Sequence, residues 1–248
     1  MKGLTRIIAA VAVTLLPLVA NAQFVDYGAP SRFVETDVHI LGGTTGIIQN
    51  YGSAFSEITE MNSSSGAGYG VGAGAVFGLR GWLGLGTELN FVVGHNKLNM
   101  AVGNNITSVS NIFIRNRYVY TNIPVYMSFR FNILTGLRWN IDAGLYYSYG
   151  IAGSQKQTIY NSSVNELGQL VPRVETSRPG YFNDSNTFIN SFRRSDIGLH
   201  LATSLLFGRH VTLGVRSQIG FKNISFNDGI RNPRIHNINL LAMVGYKF

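Results

Sequence analysis

Residues 237–248 read N-I-N-L-L-A-M-V-G-Y-K-F, and this stretch decides the fold class. Ile238, Leu240, Ala242, Val244, Tyr246 and Phe248 fall on one side of an extended strand; Asn237, Asn239, Met243, Gly245 and Lys247 fall on the other. Side chains of a strand alternate between its two faces. One face is therefore uniformly apolar and ends in two aromatics, while the other is mixed and partly polar. The chain stops on the second aromatic. A strand of this kind fits a wall with lipid against its apolar face and an aromatic girdle at the interface.

The other end of the sequence points the same way. Lys2 and Arg6 form a basic n-region, residues 7–19 form an apolar h-region, and Ala20-Asn21-Ala22 is a small-residue cleavage site. Residues 1–22 are expected to be a cleaved signal peptide. Residues 23–31 would be a short periplasmic segment, and 32–248 a single β-barrel domain. There is no cysteine, hence no disulfide framework and no thiolate metal site. After Gln23 no apolar run is long enough for a spanning helix. The net charge of +8 falls to +6 once Lys2 and Arg6 are removed. These charges are scattered over turns and loops without a nucleic-acid motif, so anionic lipid headgroups are the expected partner.

Eight segments share the two-residue alternation: about 32–43, 67–80, 84–96, 118–131, 137–151, 195–207, 211–222 and the terminal stretch. The fourth is the clearest. Val119, Thr121, Ile123, Val125, Met127 and Phe129 oppose Tyr118, Tyr120, Asn122, Tyr126, Ser128 and Arg130. In the second segment Gly68, Gly70, Gly72, Gly74 and Gly78 share a face. Such a row weakens a strand but leaves room for large side chains crossing a narrow lumen. Short turns are expected near Gly81, Thr135-Gly136 and Arg209-His210, and long polar loops over 44–66, 98–117, 152–194 and 223–234. Short periplasmic turns facing long extracellular loops are the asymmetry of outer-membrane barrels. The expectation is an all-β fold: one eight-stranded, antiparallel, up-and-down transmembrane barrel in the outer membrane, its lumen filled by side chains.

The stretches 84–91 (GLGTELNF), 122–131 (NIPVYMSFRF), 140–150 (NIDAGLYYSYG) and 196–248 carry a further signal. With a Glu in the third strand, an Ile-Pro pair in the fourth and a terminal aromatic, the chain resembles the PorT-like outer-membrane β-barrel family. That resemblance covers most of the mature chain and implies the barrel architecture. Through the family's namesake it also implies a connection to type IX protein secretion.

The inward faces collect Glu35, Asp37, Glu88, Asp142 and Asp196 against Arg130, Arg138, Arg216, Lys222 and Lys247, with His39 and His200 among them. Buried charges need partners, so a plugging network of ion pairs and hydrogen bonds is expected. A narrow porin is the alternative. An enzyme acting on lipids or peptides through His200 and Ser204 is a third reading, but no nucleophile motif surrounds Ser204. Two isolated histidines are a weak metal signal, and neither metal nor cofactor is expected. No Gly-Lys-Ser/Thr and no helix follows the glycines, which excludes a phosphate loop.

Specificity is expected in the loops. Residues 152–194 carry aromatics with Arg173, Arg178, Arg193 and Arg194, a composition suited to a protein partner or to lipopolysaccharide phosphates. Arg115, Arg117, Arg231 and Arg234 stand near the outer strand ends and fit the phosphate reading. Tyr246 and Phe248 are the expected signal for barrel-assembly machinery. The function expected is that of a non-enzymatic scaffold or accessory subunit whose loops contact a partner in a secretion or envelope complex.

Overall fold

The structure is a computed structural model and describes residues 33–51, 58–105, 108–164, 169–183, 191–226 and 233–248. The expected signal peptide and the 23–31 segment lie outside these residues. Nine strands follow in order: β1 (Val34–Gln49), β2 (Ile58–Arg80), β3 (Leu83–Asn105), β4 (Ser108–Leu134), β5 (Leu137–Val164), β6 (Leu170–Ser177), β7 (Ser195–Phe207), β8 (Val211–Gly220) and β9 (Ile235–Lys247). All pairings between these strands are antiparallel. They run from β1 through β5 to β7, β8 and β9, and β9 returns to β1 with Tyr246 opposite Val38. The fold is an all-β, antiparallel barrel.

The expected count of eight is corrected to nine, and the ring is uneven. β6 pairs with β5 alone, Leu170 to Ser177 against Val164 to Gln157. It lies in the stretch expected to be the longest loop. The loop boundaries change with it. β3 and β4 pair out to Asn105 and Ser108, so 98–117 is a hairpin, and β2 begins at Ile58 inside the expected first loop. The short turns stand where expected. Gly136 and Gly208 occupy two of them with φ of +83° and +63°, a conformation that costs glycine little.

Two registers break at one height of the wall. In β2, residues 66 and 67 fall in a shift between the pairs Ser65↔Asn96 and Gly68↔Gly94. In β5, Ile151 is skipped between Gly150↔Tyr120 and Ala152↔Val119. Bulges like these leave backbone groups unpaired and increase local twist. Side chains meet the loose groups in both places. The Thr45 hydroxyl donates to the His95 carbonyl (3.1 Å) and accepts from the His95 N–H (3.0 Å). Arg194 donates to the carbonyls of Gly150 (2.8 Å) and Ile151 (3.0 Å).

The bulges mark a boundary between two halves. Toward the short turns, Leu89, Ile123, Val125, Leu145, Leu213 and Val244 are exposed on the outer face, with polar side chains buried inside. Toward the long connections the pattern inverts. Leu98, Met100, Val102, Ile112 and Ile114 are buried inward with Tyr51, Tyr181, Phe182, Phe192 and Ile224. Lys97, Asn99, Asn111, Arg115, Arg117 and Lys156 are exposed outward. The first half is built for lipid outside, and the second for water outside around an apolar core of its own.

Candidate functional site

The lower lumen is an ion-pair network supported by strands on opposite sides of the ring. Glu35 of β1 accepts from Arg130 of β4 (2.9 and 3.1 Å), Arg138 of β5 (2.8 and 3.0 Å) and Lys247 of β9 (2.7 Å). Higher up, Glu88 of β3 accepts from Arg216 of β8 (2.6 Å), Asn90 (2.9 Å) and Tyr126 (3.0 Å). Charge-assisted bonds with several donors per carboxylate offset the cost of burying the charge. The glycines make room for this crossing. A Cβ on Gly86 would meet the Tyr126 ring, and one on Gly72 would meet Asn90 and His39.

The remaining expected lumen residues are distributed above and beside these two centres. His39 stands 2.6 Å from Asp37 through Nδ1 and 2.6 Å from Asn90 through Nε2. Asp196 accepts from Tyr146 and Asn237, each at 2.8 Å. Asp142 borders a space of about 30 Å³ shared with Asp37, Ser128 and Lys247, room for about one water molecule rather than a hydrated solute. Lys222 lies just beyond β8 and donates to Ser195 (2.6 Å), at the edge of the network rather than within it.

His200 and Ser204 are both buried, but each is engaged elsewhere. His200 Nδ1 lies 3.2 Å from Gln218 Nε2, and Ser204 accepts from Asn140 at 3.3 Å. Asp37 and His39 have the spacing of an acid–base pair, yet the ring's other nitrogen faces Asn90 rather than a hydroxyl nucleophile. No cluster of His, Asp or Glu suited to a metal ion occurs among the described residues.

The upper lumen is closed by apolar packing and by a strap from the connection between β6 and β7. Tyr181 stacks on Tyr118 (4.9 Å) and on Phe192 (4.4 Å), and Phe182 meets Tyr120 edge-on at 5.4 Å. The strap is fastened by backbone bonds from Tyr181 N–H to Gly153, from Phe192 N–H to Tyr181 and from Arg193 N–H to Ile224. Burial pushes the phenols of Tyr51 and Tyr181 well above their usual range, so both stay neutral.

The loop arginines divide. Arg194 is spent on the β5 bulge, and Arg193 donates through Nε to the Ser225 carbonyl (3.0 Å). Arg115 and Arg117 stand on the outer face of β4, and Arg178 and Arg234 are exposed at the rim. Arg231 lies outside the described residues. Tyr246 lies on the outer wall against His210, with ring centroids 5.0 Å apart and planes 6° apart, and meets Phe248 edge-on at 5.3 Å. The apolar core of the upper half escaped the reading of the sequence. Its signal was present in the alternation of Leu98, Met100 and Val102 and of Ile112 and Ile114.

Solved structures similar to the chain share little sequence with it. Ail of Yersinia pestis is 12% identical with a TM-score of 0.33, covering 86% of this chain and 98% of Ail. The N-terminal β-barrel domain of OprF from Pseudomonas aeruginosa is 11% identical (TM-score 0.28), covering 86% of this chain and 97% of that domain. Neisserial surface protein A is 12% identical (TM-score 0.29), covering 87% and 97%. No curated protein matches the chain in sequence. A family described as "outer membrane protein beta-barrel domain" matches residues 35–225, from the start of β1 to beyond the end of β8. The chain belongs to this outer membrane β-barrel family.

Proposed function

We propose that this protein is a non-enzymatic, non-conducting barrel that anchors a docking surface outside the outer membrane, as a scaffold or accessory subunit of an envelope assembly. The ring of eight strands is the membrane-inserted unit in this reading, and β6 belongs to the docking surface. The observation that carries it is the double closure of the lumen. Glu35 and Glu88 each tie opposite walls together below, and the stack of Tyr118, Tyr181 and Phe192 fills the mouth above. A solute would have to break buried ion pairs and unpack an apolar core.

The β5–β6 hairpin is the part best placed to meet a protein. It projects beyond the bulges, exposes Tyr160, Val171 and Val174, and carries the Arg173–Glu175 pair (2.9 Å) on its surface. The outward cations serve contact with outer-membrane lipids and lipopolysaccharide, and Tyr246 and Phe248 engage the barrel-assembly machinery. The PorT-like resemblance of 84–91 and 122–131 makes a secretion complex one form of such an assembly.

Planar-bilayer recording of the purified protein tests the closed lumen, and no steady conductance is expected. A reproducible open state would replace this reading with a narrow porin. Replacing 157–177 by a short turn should abolish partner co-purification while the barrel keeps its heat-resistant mobility in SDS. Partners retained on that variant would move the docking surface elsewhere.

A further inference from the structure

One outward patch gathers cations without a counter-charge. The registers place Lys97 of β3 opposite Arg115 of β4, and Arg115 opposite Lys156 of β5. Three cations therefore sit side by side across three strands, all exposed, with Arg117 two residues nearer the apolar belt. Like charges directly opposite each other destabilise a sheet. Their outward neighbours, with Ser64 opposite Lys97 and His95 opposite Arg117 among them, include no acidic residue. Among the described residues no carboxylate pairs with any of the four cations. A bound anion would relieve the repulsion beyond what water and salt screen.

The shape and height of the patch narrow the class of anion. Lys97, Arg115 and Lys156 line a groove of about 810 Å³, within the range of small-molecule sites. Its upper part holds Phe113 and Tyr160, edge to face with centroids 5.6 Å apart. Aromatic faces beside amide and hydroxyl groups suit a sugar ring, and the cations suit phosphates. In β4, Val119 is the last outward apolar residue before the cations, with Arg117 and Arg115 two and four residues above it and Phe113 beyond them. At about 3.4 Å per residue and a tilt of about 40°, the cations stand about 5 to 10 Å above the lipid boundary. Phosphates of the outer leaflet lie at that depth.

We propose that the groove across β3, β4 and β5 binds the phosphorylated sugar headgroup of an outer-leaflet glycolipid, with Lys97, Arg115 and Lys156 holding its phosphates and Phe113 and Tyr160 its sugar. This deepens the lipid contact assigned to the outer face and rests on the barrel being membrane-embedded. It is independent of whether the lumen conducts, so the bilayer recording and the experiment below can fail separately.

The test is binding of purified bisphosphorylated lipopolysaccharide to the detergent-folded full chain. Three probes run beside it: the same lipid dephosphorylated, its deacylated soluble phosphosugar, and the folded triple variant Lys97→Gln/Arg115→Gln/Lys156→Gln. The phosphorylated lipid should bind the native protein at least tenfold more tightly than either altered ligand. The triple variant should lose that preference, and Lys97→Arg/Lys156→Arg should keep it. Removing repulsion between neighbours should leave the unliganded triple variant at least as heat-stable in SDS as the native protein. Arg115→Gln alone provides a milder check with the same expected direction. Equal lipid affinity in native and triple-variant protein overturns the site. Equal affinity for the dephosphorylated lipid overturns phosphate recognition, and equal affinity for the soluble phosphosugar makes the ligand a free anion rather than a lipid.

Discussion

Below Val119 the wall of β4 is apolar outside and mostly polar inside; above it, Phe113 and Asn116 apart, the same wall is polar outside and apolar inside. Val125 and Ile123 are exposed where Asn122 and Arg130 are buried, while Arg115 and Arg117 are exposed where Ile112 and Ile114 are buried. β4 carries no inward insertion between these levels, so even-numbered residues face inward throughout. What changes is the medium beyond the wall. The lower half puts its apolar face to lipid and must satisfy its polar groups internally. The upper half is surrounded by water and builds a small soluble core. One strand serves two solvents by reversing polarity at constant geometry.

Breaking the lower interior should cost most. Arg216→Met removes the closest donor to Glu88 and leaves the carboxylate with Asn90 and Tyr126 as its donors and His39 Nε2 3.8 Å away. Losing one partner of a buried pair costs roughly 3–5 kcal/mol. Equilibrium unfolding from lipid vesicles in guanidinium should show a loss of this size. A much smaller loss would mean that the network is hydrated and exchangeable.

The outer faces come next. Leu145→Arg places a charge in the lipid-facing band of β5 and should cost roughly 2–4 kcal/mol. Val171→Arg, on the exposed β6 of the upper half, should stay within about 0.5 kcal/mol, as surface changes in water usually do. The pair of values in one vesicle preparation tests the asymmetry directly, and similar costs at both positions would abolish it.

The boundary itself is the subtlest target. Thr45→Val keeps the shape of the side chain but removes the hydroxyl that both donates to and accepts from His95. Leaving those backbone groups unpaired should cost about 1–3 kcal/mol. Amide exchange should accelerate first at His95 and its neighbours in β3. Unchanged protection there would show that the β2 bulge needs no tie.

This geography explains what the sequence made legible. A lipid-facing strand is easy to read because its outward residues are nearly all apolar, as in Val119 to Phe129, and the turns at Gly136 and Gly208 announce themselves by composition. The upper strand segments look like polar loops in sequence because their outward residues are Lys97, Asn99, Asn111 and Arg115. In β5 the obstacle was also geometric. The skipped Ile151 exchanges the faces, so outward residues are odd-numbered up to Tyr149 and even-numbered from Ala152 to Tyr160. An alternation carried past that point assigns Lys156 and Gln157 to the wrong sides. β6 was hidden by Pro172, which is tolerated there because only one edge of the strand is paired.

The lumen residues could be collected from the inward faces but not paired. Glu35 and Lys247 lie 212 positions apart and meet only because β9 closes on β1. Nor did the row formed by Lys97, Arg115 and Lys156 stand out along the chain, because it is a row across strands. It depends on the β3–β4 register and on the β5 bulge that brings Lys156 opposite Arg115.

The reversal of polarity along one strand is most directly tested by an accessibility scan of β4. The chain has no cysteine, so single cysteines can be placed from Asn111 to Arg130 and spin-labelled in vesicles. Labels at odd positions from Thr121 to Phe129 should be accessible to oxygen dissolved in lipid, and those at odd positions from Asn111 to Arg117 to a water-soluble nickel complex. Labels at even positions should be shielded from both. Oxygen access at Phe113 or Arg115, or nickel access at even positions from Asn122 to Arg130, would contradict the two-solvent barrel with its closed lumen.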